Sequence, residues 1–282
     1  MSAKEIILTQ IKNRVDMYAI PSGNFNGNTQ VDLSGVFPSA DTSTYRIVLD
    51  IVDEPEYIST IDNVDPFDDD SGVALYRFNG DANDDSGNYN GVSYGGAFNT
   101  GVYDRCFQVT NSMSDRIEPN LASVFDILTE FTISGWYRKD TTTTNEYKVL
   151  FWATDDLNSG TNFIRVMTYA TSDTLLGNLS SEGVSKYAII SGLDAYANNT
   201  WHHCTFTFDG TLFKSYLNGN LIQVTEWTGT TIDLSGSTIF RIGNTPRTDA
   251  YAVSNSIDQL RIFNRALTES EINTLYQEKV PR

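Results

Sequence analysis

The sequence predicts an all-β fold, an antiparallel sandwich of two sheets with one short C-terminal helix, and three observations predict it. Apolar and polar side chains alternate over short runs, the runs end at turn dipeptides, and clusters of Gly, Asn, Asp and Ser separate one run from the next. A strand of this kind has one apolar face, and a second sheet is the economical way to cover it. In FTISGWYR, Phe131, Ile133 and Tyr137 fall on one face and Thr132, Ser134 and Arg138 on the other. In WHHCTFTF, His202, Cys204, Phe206 and Phe208 alternate with Trp201, His203, Thr205 and Thr207. Consecutive strand residues point to opposite faces, so His202 and His203 cannot grip one metal together, and only one of them is expected in the core. The run ends at Asp209-Gly210, and LFKSYL follows it up to Asn218-Gly219. That Asn-Gly pair tolerates the positive φ angles of a type I′ turn and predicts a hairpin.

The helix is predicted where the chain closes. Thr268 followed by Glu271 is a capping box, and Ile272, Leu275 and Tyr276 form an apolar stripe that would pack beside the sandwich. At the other end, Ile7, Ile11, Val15 and Tyr18 are spaced as one face of a short helix, and TYRIVLDIV alternates as a strand. These two elements make a small α+β anchor module over residues 1–62, with little private core, suited to docking on a larger body. An acidic linker is expected over 63–72, from the stretch DNVDPFDDDSG, and the sandwich over 73–282.

Charge narrows the functional classes. Thirty-six acidic against 19 basic residues give a formal charge of −17, which repels nucleic-acid phosphates and anionic membrane surfaces. No run approaches the roughly 18 apolar residues of a membrane span, so membrane insertion is not expected. Cys106 and Cys204 lie in different predicted strands and are expected as buried free thiols. The N-terminus lacks the apolar core of a secretory signal, so the chain is expected to start in a cytoplasm.

Several segments carry a family resemblance. ALYRFNGDANDDSGNYNG, FTISGWYR, WHHCTFTFDGTLFKSYLNGNLI, FRIGN and SIDQLRIFNRALTESEINTLY together resemble the laminin-G-like, concanavalin A-like jelly-roll family. The resemblance implies a jelly roll that binds at a surface, with His202 in a structural role. It also implies a structural calcium near the acidic loop and the later Ile-Asp-Glu strand. The candidate ligands are Asp81, Asp84, Asp85 and Asp258. Oxygen-rich loops suit Ca²⁺, yet the loop is not an EF-hand: Ser86 takes the glycine position, Val92 stands where a glutamate belongs, and Gln259 replaces one family carboxylate.

No HExxH zinc motif, GxSxG nucleophile elbow, Walker loop or glucanase-type ExDxxE strand is expected, nor any enzyme activity. Binding falls instead to aromatics outside the alternating core pattern. Trp152, Tyr169, Tyr196, Trp227 and Tyr251 lie in or beside predicted loops, where a flat ring stacks on a sugar face. The run VDLSGVFPSADTSTYRIVLDIV resembles a segment of phage tail-fibre and appendage proteins. Together these readings predict a virion appendage, a tail fibre or head decoration. It would be held to other virion proteins by its N-terminal module, present in symmetric homo-oligomeric copies, and would contact host surface glycans. The alternatives are a purely structural capsid decoration protein and a glycan hydrolase with dispersed carboxylates.

Overall fold

The computed structural model describes residues 64–110, 112, 114–140, 149–155, 161–168, 174–190, 200–229, 231–244 and 254–278. The expected N-terminal module, with its helix and its strand at 45–52, lies outside the described residues. The strands begin with β1 Gly72–Tyr76, β2 Gly91–Tyr94, β3 Ala97–Thr100, β4 Arg105–Val109, β5 Arg116–Pro119 and β6 Ile127–Leu128. Then come β7 Phe131–Lys139, β8 Val149–Thr154, β9 Phe163–Thr168, β10 Leu175–Ser181, β11 Val184–Ile190 and β12 Trp201–Phe208. The last are β13 Leu212–Leu217, β14 Asn220–Glu226, β15 Ile232–Asp233, β16 Ile239–Gly243 and β17 Asn255–Phe263, followed by helix α1, Glu269–Gln277.

One sheet runs β14-β13-β12-β7-β17-β4-β3, with β1 also paired to β17; the other runs β11-β10-β9-β8-β16-β5-β2, and β15 pairs with β6. All the pairings are antiparallel. The predicted alternation holds on β7 and β12, where Phe131, Ile133, Tyr137, Cys204, Phe206 and Phe208 enter one core cluster. Leu150, Phe151, Ala153, Ile164, Val166, Leu175 and Leu179 of the second sheet join the same cluster, so the two sheets pack face to face. At Gly177 of β10 an added Cβ would lie 2.5 Å from Phe206 Cδ1 and 2.7 Å from Phe213 Cζ, and only glycine lets the rings of the facing sheet come so close. The hairpin between β13 and β14 turns on Asn218, φ 49°, and Gly219, φ 80°, as the Asn-Gly pair predicts. Cys106 and Cys204 are buried free thiols.

Helix α1 starts at its capping box: Thr268 Oγ1 accepts from Glu271 N at 3.3 Å, and Glu271 Oε2 accepts from Thr268 N at 2.7 Å. Ile272 and Leu275 pack with Tyr216, Phe263 and Leu267, placing the helix on the outer face of the eight-stranded sheet. This cover changes the expectation for the histidine pair, because both residues are buried. His202 is in the strand phase of Cys204 and Phe206, while His203 lies beneath the helix, its ring 5.2 Å from Trp136 and 6.0 Å from Tyr276. Burial, with a smaller effect from Arg261, pushes the His203 imidazole down to about 3.

The acidic stretch expected as a linker is instead folded onto the sandwich from Val64 onward. Val64 is buried, the Asp65 carboxylate accepts from the N–H groups of Phe67, Asp69 and Ser71, and the Phe67 ring lies 5.9 Å from Phe263. Asp69 also pairs with Arg265 at 2.6 Å. A side-chain acceptor that organises the backbone replaces the apolar mass the segment lacks.

Candidate functional site

The seven-stranded sheet turns one face to the core and the other away from it, and the outer face carries a row with one residue from each strand. Register pairs Tyr187 of β11 with Asn178 of β10, Asn178 with Arg165 of β9, Arg165 with Trp152 of β8, and Trp152 with Arg241 of β16. Ile242 pairs with Ile117, which sets Arg241 beside Glu118 of β5, and Glu118 pairs with Val92 of the edge strand β2. Neighbouring strands are about 4.8 Å apart, so the row is a continuous strip across the sheet. Period-two alternation places it there: Ile164 and Val166 point into the core, which turns Phe163, Arg165 and Met167 outward.

The strip is a ladder of guanidinium groups resting on rings. Arg165 Cζ lies 5.1 Å from the Trp152 ring centroid and 4.4 Å from that of Phe163, and Arg116 Cζ lies 4.2 Å above Tyr94. Arg165 Nε donates to Asn178 Oδ1 at 2.9 Å, and Asn178 Nδ2 donates to Ser185 Oγ at 3.1 Å and to Lys186 O at 3.0 Å. Glu118 Oε1 is shared: Arg116 Nε reaches it at 2.6 Å and Arg241 Nε at 3.5 Å. Burial, and then the neighbouring Arg116, hold Arg241 below the usual guanidinium value, with Glu118 opposing them. Val149, Met167 and Leu176 pack with Trp152 as a small buried apolar cluster along one side of the strip, and Tyr94 is 41% exposed near the other.

The expected aromatic contacts divide. Trp152 belongs to this strip, but it sits inside strand β8 and not in a loop, and only 5% of it is exposed beneath Arg165. Trp227 is a core residue: it packs edge-on against Phe208 at 6.0 Å within the main cluster, so its face is not open to a sugar. A tryptophan that falls outside the alternating pattern thus fills the end of the core. Tyr169, Tyr196 and Tyr251 lie outside the described residues.

The candidate calcium carboxylates do not come together as a site. Asp84 is buried and saturated by donors, taking Leu75 N at 2.8 Å, Tyr89 N at 3.2 Å and the Ser86 hydroxyl, and it holds the acidic loop in shape. Asp85 is paired with Arg77, and Asp81 is exposed and accepts from Asn83 N at 3.0 Å in a local turn. Asp258 is buried elsewhere along β17, where its Oδ2 accepts from Val102 N at 2.7 Å and Tyr103 N at 3.4 Å. Among the described residues no group of three His, Cys, Asp or Glu side chains could hold a metal ion. These residues do not fit the calcium that the resemblance implies.

One enzyme-like spacing is present in the chain. Gly91-Val92-Ser93-Tyr94-Gly95 matches a GxSxG pattern, but it forms edge strand β2 followed by strand β3, where a nucleophile elbow leads into a helix. Ser93 Oγ donates to Gly95 O at 3.1 Å, with no histidine at hand, since both histidines lie in β12 of the other sheet.

Local pattern does not single out Arg116, Glu118, Phe163, Arg165, Asn178 and Arg241. Their strands are readable from FIRVMT and FRIG, but which residues stand side by side depends on strand order and register.

Residues 111–273 match the family described as the Concanavalin A-like lectin/glucanases superfamily. No curated protein shows significant similarity to the chain. Among solved structures, the chain is similar to domain 4 of AbnA, an extracellular arabinanase from Geobacillus stearothermophilus, in complex with arabinotriose. The identity is 20% over 72% of this chain and 97% of that one, with a TM-score of 0.57. It is also similar to the botulinum neurotoxin serotype D ligand binding domain in complex with N-acetylneuraminic acid, at 18% identity over 73% of this chain and 50% of that one, TM-score 0.57. The binding domain of Paraclostridial Mosquitocidal Protein 1 matches at 19% identity over 68% of this chain and 48% of that one, TM-score 0.56. The chain thus spans about half the length of the two toxin domains. At such identities these likenesses show the fold.

Proposed function

Because the chain belongs to the Concanavalin A-like lectin/glucanases superfamily, we propose that its sandwich binds carbohydrate on the outer face of the seven-stranded sheet. The observation that carries the reading is the strip of Asn178, Arg165, Trp152, Arg241 and Glu118 in register, flanked by Phe163 and Tyr94. It sets guanidinium and carboxylate groups beside the rings of Phe163 and Tyr94 on a rigid sheet, with Trp152 and Asn178 buried behind them, and pairs polar groups with ring surface as a hydroxyl-rich ligand needs. Two structures of the same fold were solved with saccharides, arabinotriose in one and N-acetylneuraminic acid in the other.

Binding, not turnover, is the proposed activity. Paired-carboxylate hydrolysis needs two carboxyl groups about 5 to 9.5 Å apart. Glu118 is the one carboxylate in the seven strands of this sheet, and two arginines already engage it.

A glycan array probed with the full chain tests the reading. Binding is expected, and both Tyr94→Ala and Arg241→Ala should weaken it at least ten-fold while circular dichroism is unchanged. Retained affinity in both variants would move the site elsewhere, and release of reducing sugar from a bound glycan would overturn the non-enzymatic part.

The setting proposed for this binder is a phage particle, as a tail-fibre or head appendage held by residues 1–62. The likeness of residues 31–52 to appendage proteins supports it. Mass spectrometry of purified virions should find the chain there; recovery only from the soluble host extract would reject the setting.

A further inference from the structure

We propose that β14, the free edge of the eight-stranded sheet, pairs antiparallel with β14 of a second copy of the chain and joins two sandwiches into a two-fold dimer. This surface shares no residue with the strip proposed to bind carbohydrate and stands without it.

Both sheets end on one side of the sandwich, the eight-stranded one at β14 and the seven-stranded one at β11, and the two edges are finished differently. Side chains close the main chain of β11: Gln223 Oε1 accepts from Ile189 N at 2.9 Å, Ser215 Oγ donates to Ile189 O at 3.2 Å, and Thr225 Oγ1 donates to Tyr187 O at 2.7 Å. Among the described residues no side chain does the same for β14. Trp227 N donates to Thr211 O at 2.7 Å, and bonded pairs alternate along an antiparallel ladder. The N–H and C=O groups of Val224 and Glu226 therefore point away from β13. Open edges are commonly blunted by lysine, proline or shortness, yet β14 reads NLIQVTE over seven residues, with neither residue type.

The same strand holds exposed apolar side chains, Leu221 at 40%, Ile222 at 43% and Val224 at 47%. Ile222 is the extra residue of a bulge near the turn, and it leaves Leu221 and Ile222 as apolar flanks of the open main chain. Charge selects the occupant. Copies of a chain of formal charge −17 repel one another and can meet only where carboxylates are few. Glu226 is the single charge of β14. A two-fold axis near Val224 lays Glu226 opposite Ile222 of the second copy, about 14 Å from the other Glu226 and beyond a screening length of about 8 Å. Parallel pairing would set the two carboxylates side by side. Two such edges bury on the order of 1,000 Å² in all, the low end for a specific contact, so a weak, reversible dimer is expected. The axis of an antiparallel ladder is perpendicular to the sheets, so the outer faces of both seven-stranded sheets look the same way, and one dimer offers two such faces to one surface.

Sedimentation equilibrium of the full chain should show self-association that tightens as salt is raised, and Val224→Lys, at an exposed position, should weaken it at least ten-fold with circular dichroism unchanged. Val224→Cys should give a covalent dimer under mild oxidant, because the two copies of that residue meet at the axis. Ile127→Cys, also exposed but on β6, should not, and the native thiols are buried. A chain that stays monomeric at every concentration overturns the pairing, as does association that Val224→Lys leaves unchanged. Equal cross-linking through both introduced cysteines overturns it too. Uptake of phosphatidylcholine vesicles by a monomer, lost in Val224→Lys, would give the edge to a lipid surface and reject the dimer.

Discussion

Asp258 shows how one buried side chain acquires a measurable signature. Two N–H donors favour its charged form, but burial outweighs them and pushes the carboxyl up to about 6 from its ordinary 3.8. The folded pKa is above the unfolded one, so the contribution to stability is full below the unfolded value and is lost as pH rises through about 6. Asp258→Asn keeps an acceptor for Val102 and Tyr103 but cannot ionise. Urea unfolding should therefore show the parent losing about 2–3 kcal/mol relative to the variant between pH 4 and pH 7, since each ten-fold change in proton affinity is worth about 1.4 kcal/mol. Parallel profiles for the two proteins would rule this out. In the sequence Asp258 is marked only by its motif, where an acid beside Gln259 reads as a metal ligand. Its burial and its donors come from residues 102 and 103, far away in the chain and invisible to local pattern.

Among the elements, helix α1 is the most legible in the sequence, because a capping box is a short-range device. Thr268 and Glu271 satisfy each other's backbone N–H groups whatever surrounds them. Thr268→Ala should cost about 1 kcal/mol in thermal or denaturant unfolding, and Thr268→Ser should recover most of it. A cost shared equally by both variants would mean that the lost methyl group, and not the cap, was responsible. The β13–β14 hairpin is legible for the same reason, since Asn218 and Gly219 supply both positive φ angles locally. The segment from Val64 to Ser71 is not: its fold depends on Asp65 as a turn acceptor and on Phe67 finding Phe263 nearly two hundred residues later. The burial of the second histidine of the pair is hidden likewise, because an outer sheet face counts as exposed until a helix is known to cover it.

Across the whole molecule, stability depends on two sheets meeting at van der Waals distance, and Gly177 sits where they meet most closely. Gly177→Val would push methyl groups into the space of Phe206 and Phe213, costing about 1–3 kcal/mol and lowering Tm by several degrees in one cooperative transition. An unchanged Tm would show that the sheets part easily and that the core is loosely packed there. The sequence by itself determined the all-β class, the alternating core faces of β7 and β12, the Asn-Gly hairpin and the capped helix, since each is dictated by neighbours a few residues apart. Only the tertiary structure decided that Trp227 fills the core and that the Asp84 carboxylate gathers backbone donors from residues 75 and 89. It alone set Arg165, Trp152 and Arg241 side by side. Their adjacency follows from strand order and register, which hydrogen bonding between distant segments fixes and which no local spacing encodes.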